Sequence, residues 1–427
     1  MTSPAADPTT PPVPLGLVLA PVPVLRFDPS RVALADVLAP PYDVISPAAR
    51  AELASRDPYN VVRLTLPEAT SPDEGYAQAA AALARWEADG VLVADEPALW
   101  VYEITSPEGH VLRGLVGGVG LAQPDAGIVL PHENTMAGPV ADRLGLLEAV
   151  AADLEPIFLV YDGGGAASAA VAADPSEVTA DLTVEDGSRH RLWAVRDAAQ
   201  LAAVAADLLP RRAVIADGHH RYATYLQHQS RRHAEGSGPG PWDLGLTLLV
   251  DGSAYGPEVH PIHRVVPGLP ADEAAALAGA GYRLAEVEVP DSDADLASTL
   301  AAAGPHSVVI SDGVRAWLLD QSDPAGVAAA MPAERSAAWQ DLDVAVAHRY
   351  LIGALWGLAD DEEVVHFEHD VADALGAARA SGGTALLLPP TPVQAVVDVA
   401  ASGERMPRKS TLFTPKPRSG MVLRPHR

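Results

Sequence analysis

The sequence contains no cysteine in its 427 residues. That excludes disulfides, thiolate nucleophiles, iron–sulfur clusters and cysteine zinc sites together. Basic residues are also scarce: 29 Lys and Arg stand against 56 Asp and Glu, a formal net charge of −27. A surface of that sign repels a phosphate backbone, and no dense Lys/Arg helix reverses it locally, so nucleic acid is not an expected partner. Long apolar runs are missing, with no stretch near the roughly 20 residues that span a bilayer. The N-terminus, Met1-Thr-Ser-Pro-Ala-Ala-Asp-Pro, lacks the basic and apolar regions of a signal peptide. A cytoplasmic location without a membrane partner is therefore expected. There is no Walker loop and no kinase glycine loop.

What the chain does have is length and a hydrophobic content of 48%, enough for two or three domains with a buried interior. Short strand-like runs separated by alanine-rich helical stretches predict an α+β protein: a mixed β-sheet core with flanking helices, plus a small α/β subdomain. Five regions are expected. They are a disordered 1–14, an N-terminal α/β region over 15–125, a central domain over 126–268, the small subdomain over 269–325, and a C-terminal helical region with a basic tail over 326–427.

The central domain carries Arg211-Arg-Ala-Val-Ile-Ala-Asp-Gly-His-His-Arg-Tyr222. Ala213 to Ala216 suits a buried strand, Asp217-Gly218 breaks it, and the residues that follow read as a helix. Asp217, His219, His220 and Arg221 are thus expected at a helix N-terminus, where unpaired N–H groups and the dipole favour a phosphate or carboxylate. Capping alone accounts for Asp217 but not for the His-His-Arg run.

A second polar group is Leu130-Pro-His-Glu-Asn-Thr-Met-Ala-Gly-Pro139, followed by Asp142-Arg143. His132, Asn134, Thr135 and Arg143 offer donors for phosphate. Glu133 reads as a general base or magnesium ligand, and a loop-capping network is the structural alternative. In the proline-stiffened loop Ala39-Pro-Pro-Tyr-Asp-Val-Ile-Ser-Pro47, Tyr42 and Asp43 are held with little freedom and would line a site, with Ser46 capping a helix. Asn60 to Leu66 has strand composition. Val259 to Val266 brings His260, His263 and Arg264 into an extended stretch. Near the C-terminus, Lys409, Ser410, Thr411 and Lys416 could return to a phosphate site.

In this combination the chain resembles the bacterial family called domain of unknown function 1015. The segments that carry the resemblance are Pro-Pro-Tyr-Asp-Val-Ile-Ser, Asn60-Val-Val-Arg-Leu, His132-Glu-Asn-Thr with Asp142-Arg143, Ala216-Asp-Gly-His-His-Arg-Tyr, and Met406-Pro-Arg-Lys-Ser-Thr with Pro415-Lys416. Gly218-His-His-Arg221 is also similar to the signature of the partition-protein B and sulfiredoxin superfamily, which includes free serine kinases. That resemblance implies a strand-to-helix active-site junction at which Asp217, His219, His220 and Arg221 contact phosphates or act on a hydroxyl, with Glu133 as the separate catalytic acid. The missing cysteine rules out sulfiredoxin chemistry, and the acidic charge speaks against partition-type DNA binding.

The leading expectation is phosphoryl transfer from a nucleoside di- or triphosphate to a small hydroxyl compound, a free amino acid such as serine being one candidate. Asp217 or Glu133 would take the proton or bind Mg2+, with His219 as a further catalytic group. A metal-assisted phosphohydrolase using His132, Glu133, Asp217, His219 and His260 or His263 is the alternative. A nucleotide-binding switch without catalysis is the third.

Overall fold

The computed structural model describes residues 11–361 and 363–427. Most of the segment expected to be disordered, 1–10 of 1–14, lies outside the described residues, and 11–14 have no regular secondary structure. The chain divides into two compact units, Met1–Pro257 with Pro415–Arg427, and Glu258–Thr414. The expected boundary at 125 falls inside the first unit. Strands from both sides of it pair along one sheet, Val111–Gly120 with Leu244–Asp251 and Leu92–Thr105 with Arg189–Val195.

The first unit is built on β1 (Leu19–Ala20), β2 (Val22–Phe27), β3 (Leu92–Thr105), β4 (Val111–Gly120), β5 (Val129–Leu130), β6 (Ala152–Asp153), β7 (Ile157–Tyr161), β8 (Ala180–Thr183), β9 (Arg189–Val195), β10 (Ala213–Asp217) and β11 (Leu244–Asp251). All but β6 form a ten-stranded mixed sheet whose path runs β5-β10-β7-β11-β4-β3-β9-β8, with β1 on β4 and β2 on β3. The alternating runs of β3 and β4 form the hairpin expected of them, closing through Gly109 at φ 91°. β10 runs parallel to β5 and antiparallel to β7, with a register shift between Ile215 and Asp217. That bulge ends the ladder where the central motif begins.

Two helices complete the site, α1 (Ala137–Val150) and α2 (His219–Ala234), and they pack on one another. Along α2, Tyr222, Tyr225, Leu226 and Gln229 recur at the spacing of one buried helix face. Tyr222 and Tyr225 bury their rings and donate their hydroxyls to the carbonyls of Ala122 and Glu155. Asn60 to Leu66 is a short helix over Val62–Thr65, not the expected strand. The buried Asn60 explains this: its Oδ1 accepts from Val62 N, and its amide donates to the carbonyls of Asp36 and Leu38, fixing a turn where composition suggests extension.

The second unit holds β12 (Glu258–His260), β13 (His263–Val266), β14 (Arg283–Val287), β15 (Val308–Ser311), β16 (Ala316–Asp320), β17 (His366–Glu368), β18 (Thr384–Leu387) and β19 (Leu412–Thr414). Six form an antiparallel sheet in the order β14-β16-β15-β18-β13-β17, while β12 pairs with β19. The small subdomain expected at 269–325 is part of this sheet. Val265, Val309 and Leu387 build its core with Leu296 and Leu375 from the covering helices. The tail returns to the first unit, where β20 (Arg424–Pro425) pairs with β6 and Leu423 bridges to Leu25.

Candidate functional site

The strand-to-helix junction is organised by ion pairs. Asp217, at the end of β10, bonds through one carboxylate oxygen to Lys416 Nζ at 2.6 Å and through the other to an Arg221 terminal nitrogen. Burial works to raise the Asp217 pKa, but Arg221 and Lys416 hold it below the ordinary carboxylate range. Arg221 is 5% exposed and also donates to the carbonyl of Pro156. Gly218 caps α2 at φ 94°, and a Cβ there would lie 3.0 Å from Arg221 Nε. Glycine is therefore required both for the left-handed turn and for the close approach of the guanidinium.

The two histidines that open α2 reach the Leu130–Met136 loop. His219 Nε2 accepts from the backbone N–H of His132 at 3.2 Å, and His220 Nε2 accepts from that of Met136 at 3.1 Å. A ring nitrogen that accepts is unprotonated, so each neutral imidazole carries its proton on Nδ1. Burial lowers the His220 pKa, against the opposing field of Asp43, consistent with a neutral ring. His219 Nδ1 faces Glu133 Oε2 at 3.6 Å, His132 Nε2 lies 4.0 Å from Glu133 Oε1, and the His132 and His219 rings meet edge to face at 4.5 Å. Potential ligand atoms of His132, Glu133 and His219 lie within 4.8 Å of one another. The Glu133 side chain is 42% exposed, while Asn134 and Thr135 are exposed on the same loop.

The proline-rich loop joins this group. Arg143 stacks over the Tyr42 ring at 4.5 Å, donates to the Thr65 carbonyl at 2.6 Å and pairs with Asp142, which accepts from the Tyr76 hydroxyl. Asp43, exposed, contributes to the field at His220 and Arg221. Glu155, which belongs to no sequence motif, lies among these groups. It is buried and accepts from Tyr42 N at 2.9 Å and from the Ser419 hydroxyl. Burial raises its pKa, with Arg221 and Ser419 opposing. The one signal in the sequence is an acid two residues before the apolar run of β7. A cavity of about 40 Å³ lies among Arg143, Glu155, Arg221 and Thr224, room for a water. A second, of about 590 Å³, is lined by Arg50, Tyr76, Asp142 and Arg143.

The structure thus brings Tyr42, Asp43, His132, Glu133, Arg143, Asp217, Gly218, His219, His220, Arg221 and Lys416 into one unit. Lys409, Ser410, Thr411, His260 and His263 belong to the other. Within it His263 is buried, its Nδ1 accepting from Leu388 N and its Nε2 on Asp293 at 3.0 Å, a structural role. His260 is half exposed on β12.

The profile of the family described as protein of unknown function (DUF1015) matches residues 19–345. The chain belongs to that family. No curated protein matches this DUF1015 member. Among solved structures, a variant of free serine kinase in complex with ADP is similar at 10% identity and a TM-score of 0.34, covering 70% of this chain and 87% of that one. A conserved hypothetical protein from Pyrococcus furiosus is similar at 11% identity and 0.32, covering 70% and 90%. SbnI from Staphylococcus aureus, with its C-terminus truncated, is similar at 12% and 0.33, covering 70% and 82%. Likenesses this distant carry no argument about chemistry. Among the described residues no helix is long and apolar enough to cross a membrane.

Proposed function

We propose that this DUF1015 chain is a nucleotide-dependent phosphotransferase acting on a small hydroxyl-bearing metabolite, with Glu133 as the base. The observation that carries this reading is the pairing of the half-exposed Glu133 with His219, whose proton is fixed on the nitrogen facing the carboxylate by the His132 amide. A carboxylate oriented by an imidazole N–H, beside the first-turn amides of a 16-residue helix, suits transfer to a hydroxyl. Glu133 would take the hydroxyl proton as the oxygen–phosphorus bond forms and the bond to the departing nucleotide breaks. The helix amides and the Nδ1–H of His220 would hold the transferred group, and the cavity beside Arg143 has room for a small substrate.

Asp217 is better suited to organise than to act as base, since both of its oxygens hold cations. For the same reason Asp217 offers magnesium no open oxygen, which leaves the half-exposed Glu133 as the carboxylate that could reach an ion. An ion would enter on the phosphates of the nucleotide.

The metal-assisted phosphohydrolase keeps one supporting observation, the clustering of His132, Glu133 and His219. The proton on His219 Nδ1 weighs against it, because that atom would have to lose its proton to ligate. Phosphorus NMR of the protein incubated with ATP, magnesium and a panel of amino acids and polyols, with metal analysis in parallel, decides between them. A phosphorylated hydroxyl product that falls by about 100-fold or more in Glu133→Gln supports the transferase. Free phosphate alone, with a stoichiometric transition metal, supports the hydrolase. Full transfer activity in Glu133→Gln would overturn the assignment of the base.

A further inference from the structure

The chain contains only two lysines, Lys409 and Lys416. Lys416 is bonded to Asp217 in the first unit. Lys409 is exposed in the second, at φ 50°, a left-handed conformation that a long side chain rarely adopts. What holds it there is a set of captured carbonyls. The Pro407 carbonyl accepts from the Ser410 hydroxyl, those of Arg408 and Lys409 accept from one terminal nitrogen of Arg264 at 3.2 and 2.9 Å, and that of Ser410 accepts from Thr391 Oγ1 at 3.0 Å. Four consecutive carbonyls are therefore occupied, and the lysine is displayed on a turn whose backbone has little freedom left.

Arg264 itself is an unusual support. It is 1% exposed on β13, and its donors go to carbonyls and an imidazole instead of a carboxylate: Nε to His348 Nε2 at 2.9 Å, the first terminal nitrogen to the Ile262 carbonyl, the second to the turn. His348 lies in a π-helical stretch, Ala347–Leu355, and its Nδ1 bonds Asp360 at 2.8 Å. Asp360 in turn accepts from the Arg408 side chain at 3.3 Å, closing a ring around the turn. Burial pushes the Arg264 guanidinium down to about 9, so a buried cation is retained at a cost where a neutral donor could make most of the same bonds. A second guanidinium, Arg405, is lowered by burial with no carboxylate offsetting it, and its carbonyl is fixed by Trp339 Nε1 at 3.0 Å. In a chain of charge −27, Arg405 and Lys409, which have no acidic partner among the described residues, point to an external anion.

We infer that the Arg405–Ser410 segment of the second unit is an oxyanion site for the phosphate group of a phosphate ester or pyrophosphate, with Lys409 and Arg405 as contacting cations and Arg264 as the positioning residue of Lys409. Lysine suits this role as a compact charge aimed at the oxygens from a fixed backbone. The inference does not rest on the transferase reading, since the turn would bind its anion whatever reaction the first unit performs.

With two lysines in the chain, amine acylation of the intact protein followed by peptide mass spectrometry reads Lys409 directly. Millimolar inorganic pyrophosphate, against sodium chloride of equal ionic strength, should slow acylation of Lys409 about fivefold or more and leave Lys416 unchanged. The same protection in Glu133→Gln separates this site from the transferase reading. AMP and pyrophosphate run as separate arms distinguish a monoester from a diphosphate ligand, and protection by either supports the site. Arg264→Lys keeps the charge but not the two-carbonyl grip. It should reduce protection to less than about twofold in a protein with an unchanged far-ultraviolet spectrum, and Arg405→Ala should do the same should Arg264→Lys fail to fold. Acylation of Lys409 at an unchanged rate in both anions would overturn the site. Undiminished protection in a folded Arg264→Lys would overturn the positioning role.

Discussion

Asp217→Asn is the sharpest test of how the junction is held. Asparagine keeps the shape but can turn only one oxygen to a cation, so its amide hydrogens must face either Lys416 or Arg221, donor against donor. Arg221, 5% exposed, then loses its directly bonded carboxylate. Breaking a buried pair by removing one partner costs about 3–5 kcal/mol, and the lower end is expected here because Glu155 remains in the field of Arg221. For a folding unit of this size about 3 kcal/mol lowers the melting temperature by roughly 6–12 °C. Lys416→Met leaves Asp217 bonded to Arg221, and its cost should be smaller, about 1.5–3 kcal/mol. The pH dependence has a definite sign. Asp217 is depressed in the folded state, so its contribution is present above the unfolded pKa, about 3.9, and is lost as pH falls through the folded value. Calorimetry of wild type and Asp217→Asn should show a constant gap between pH 5 and 8 that closes below about pH 4. A variant within about 1 kcal/mol of wild type at pH 7 would refute the view that these ion pairs hold the junction.

Two further predictions concern neighbouring groups. Gly218→Ala meets both a left-handed φ and Arg221 Nε at 3.0 Å, and should lose about 1–3 kcal/mol in urea unfolding. Gly376→Ala, inside the helix Val371–Ser381 with open space around it, should instead gain up to about 1 kcal/mol; equal effects at the two sites would contradict the packing argument. Glu155 has the opposite linkage from Asp217. Its folded pKa is raised, so its contribution is full below the unfolded value and is lost as pH rises through the folded one. Glu155→Gln should therefore improve relative to wild type between pH 4.5 and 7 in urea midpoints, and parallel pH profiles would speak against it.

Much of this site could be read from local sequence. The apolar run Ala213 to Ala216 followed by Asp217-Gly218 marks a strand meeting a helix, and the polar segments at Tyr42, His132 and Asp142 lie in the same unit as that junction. What local reading misses is any role set by a distant partner. Asn60 sits in a run of strand-forming residues, yet its side chain satisfies three backbone groups and winds the segment into a helical turn. Glu155 belongs to no motif; its importance comes from burial among Arg221, Tyr42 and Ser419, the last of them 264 positions away. The second sheet was hidden for a similar reason. β15 and β18 are four-residue runs buried on both faces, and nothing within such a run tells which other strand it will pair with.

The basic tail shows most clearly how one composition can serve two ends. A cluster of cations in an acidic protein suggests an anion site, and the sequence treats Lys409 and Lys416 alike. In the folded chain they part. From Lys416 onward the cations face internal carboxylates: Lys416 bonds Asp217, Arg418 bonds Glu185 and Asp186, and Arg424 and His426 share the buried Asp153. Burial alone would raise the Asp153 pKa, and His426 and Arg424 hold it near 2, so the last dozen residues close the first unit by charge as well as by β20. Arg405 and Lys409 stand before that crossing, on a turn whose carbonyls are occupied from within. A cation matched by an internal acid stabilises the fold, whereas a cation fixed in place without one is available to a ligand. That difference follows from the pairing of side chains in space, and it separates two lysines only seven residues apart in the sequence.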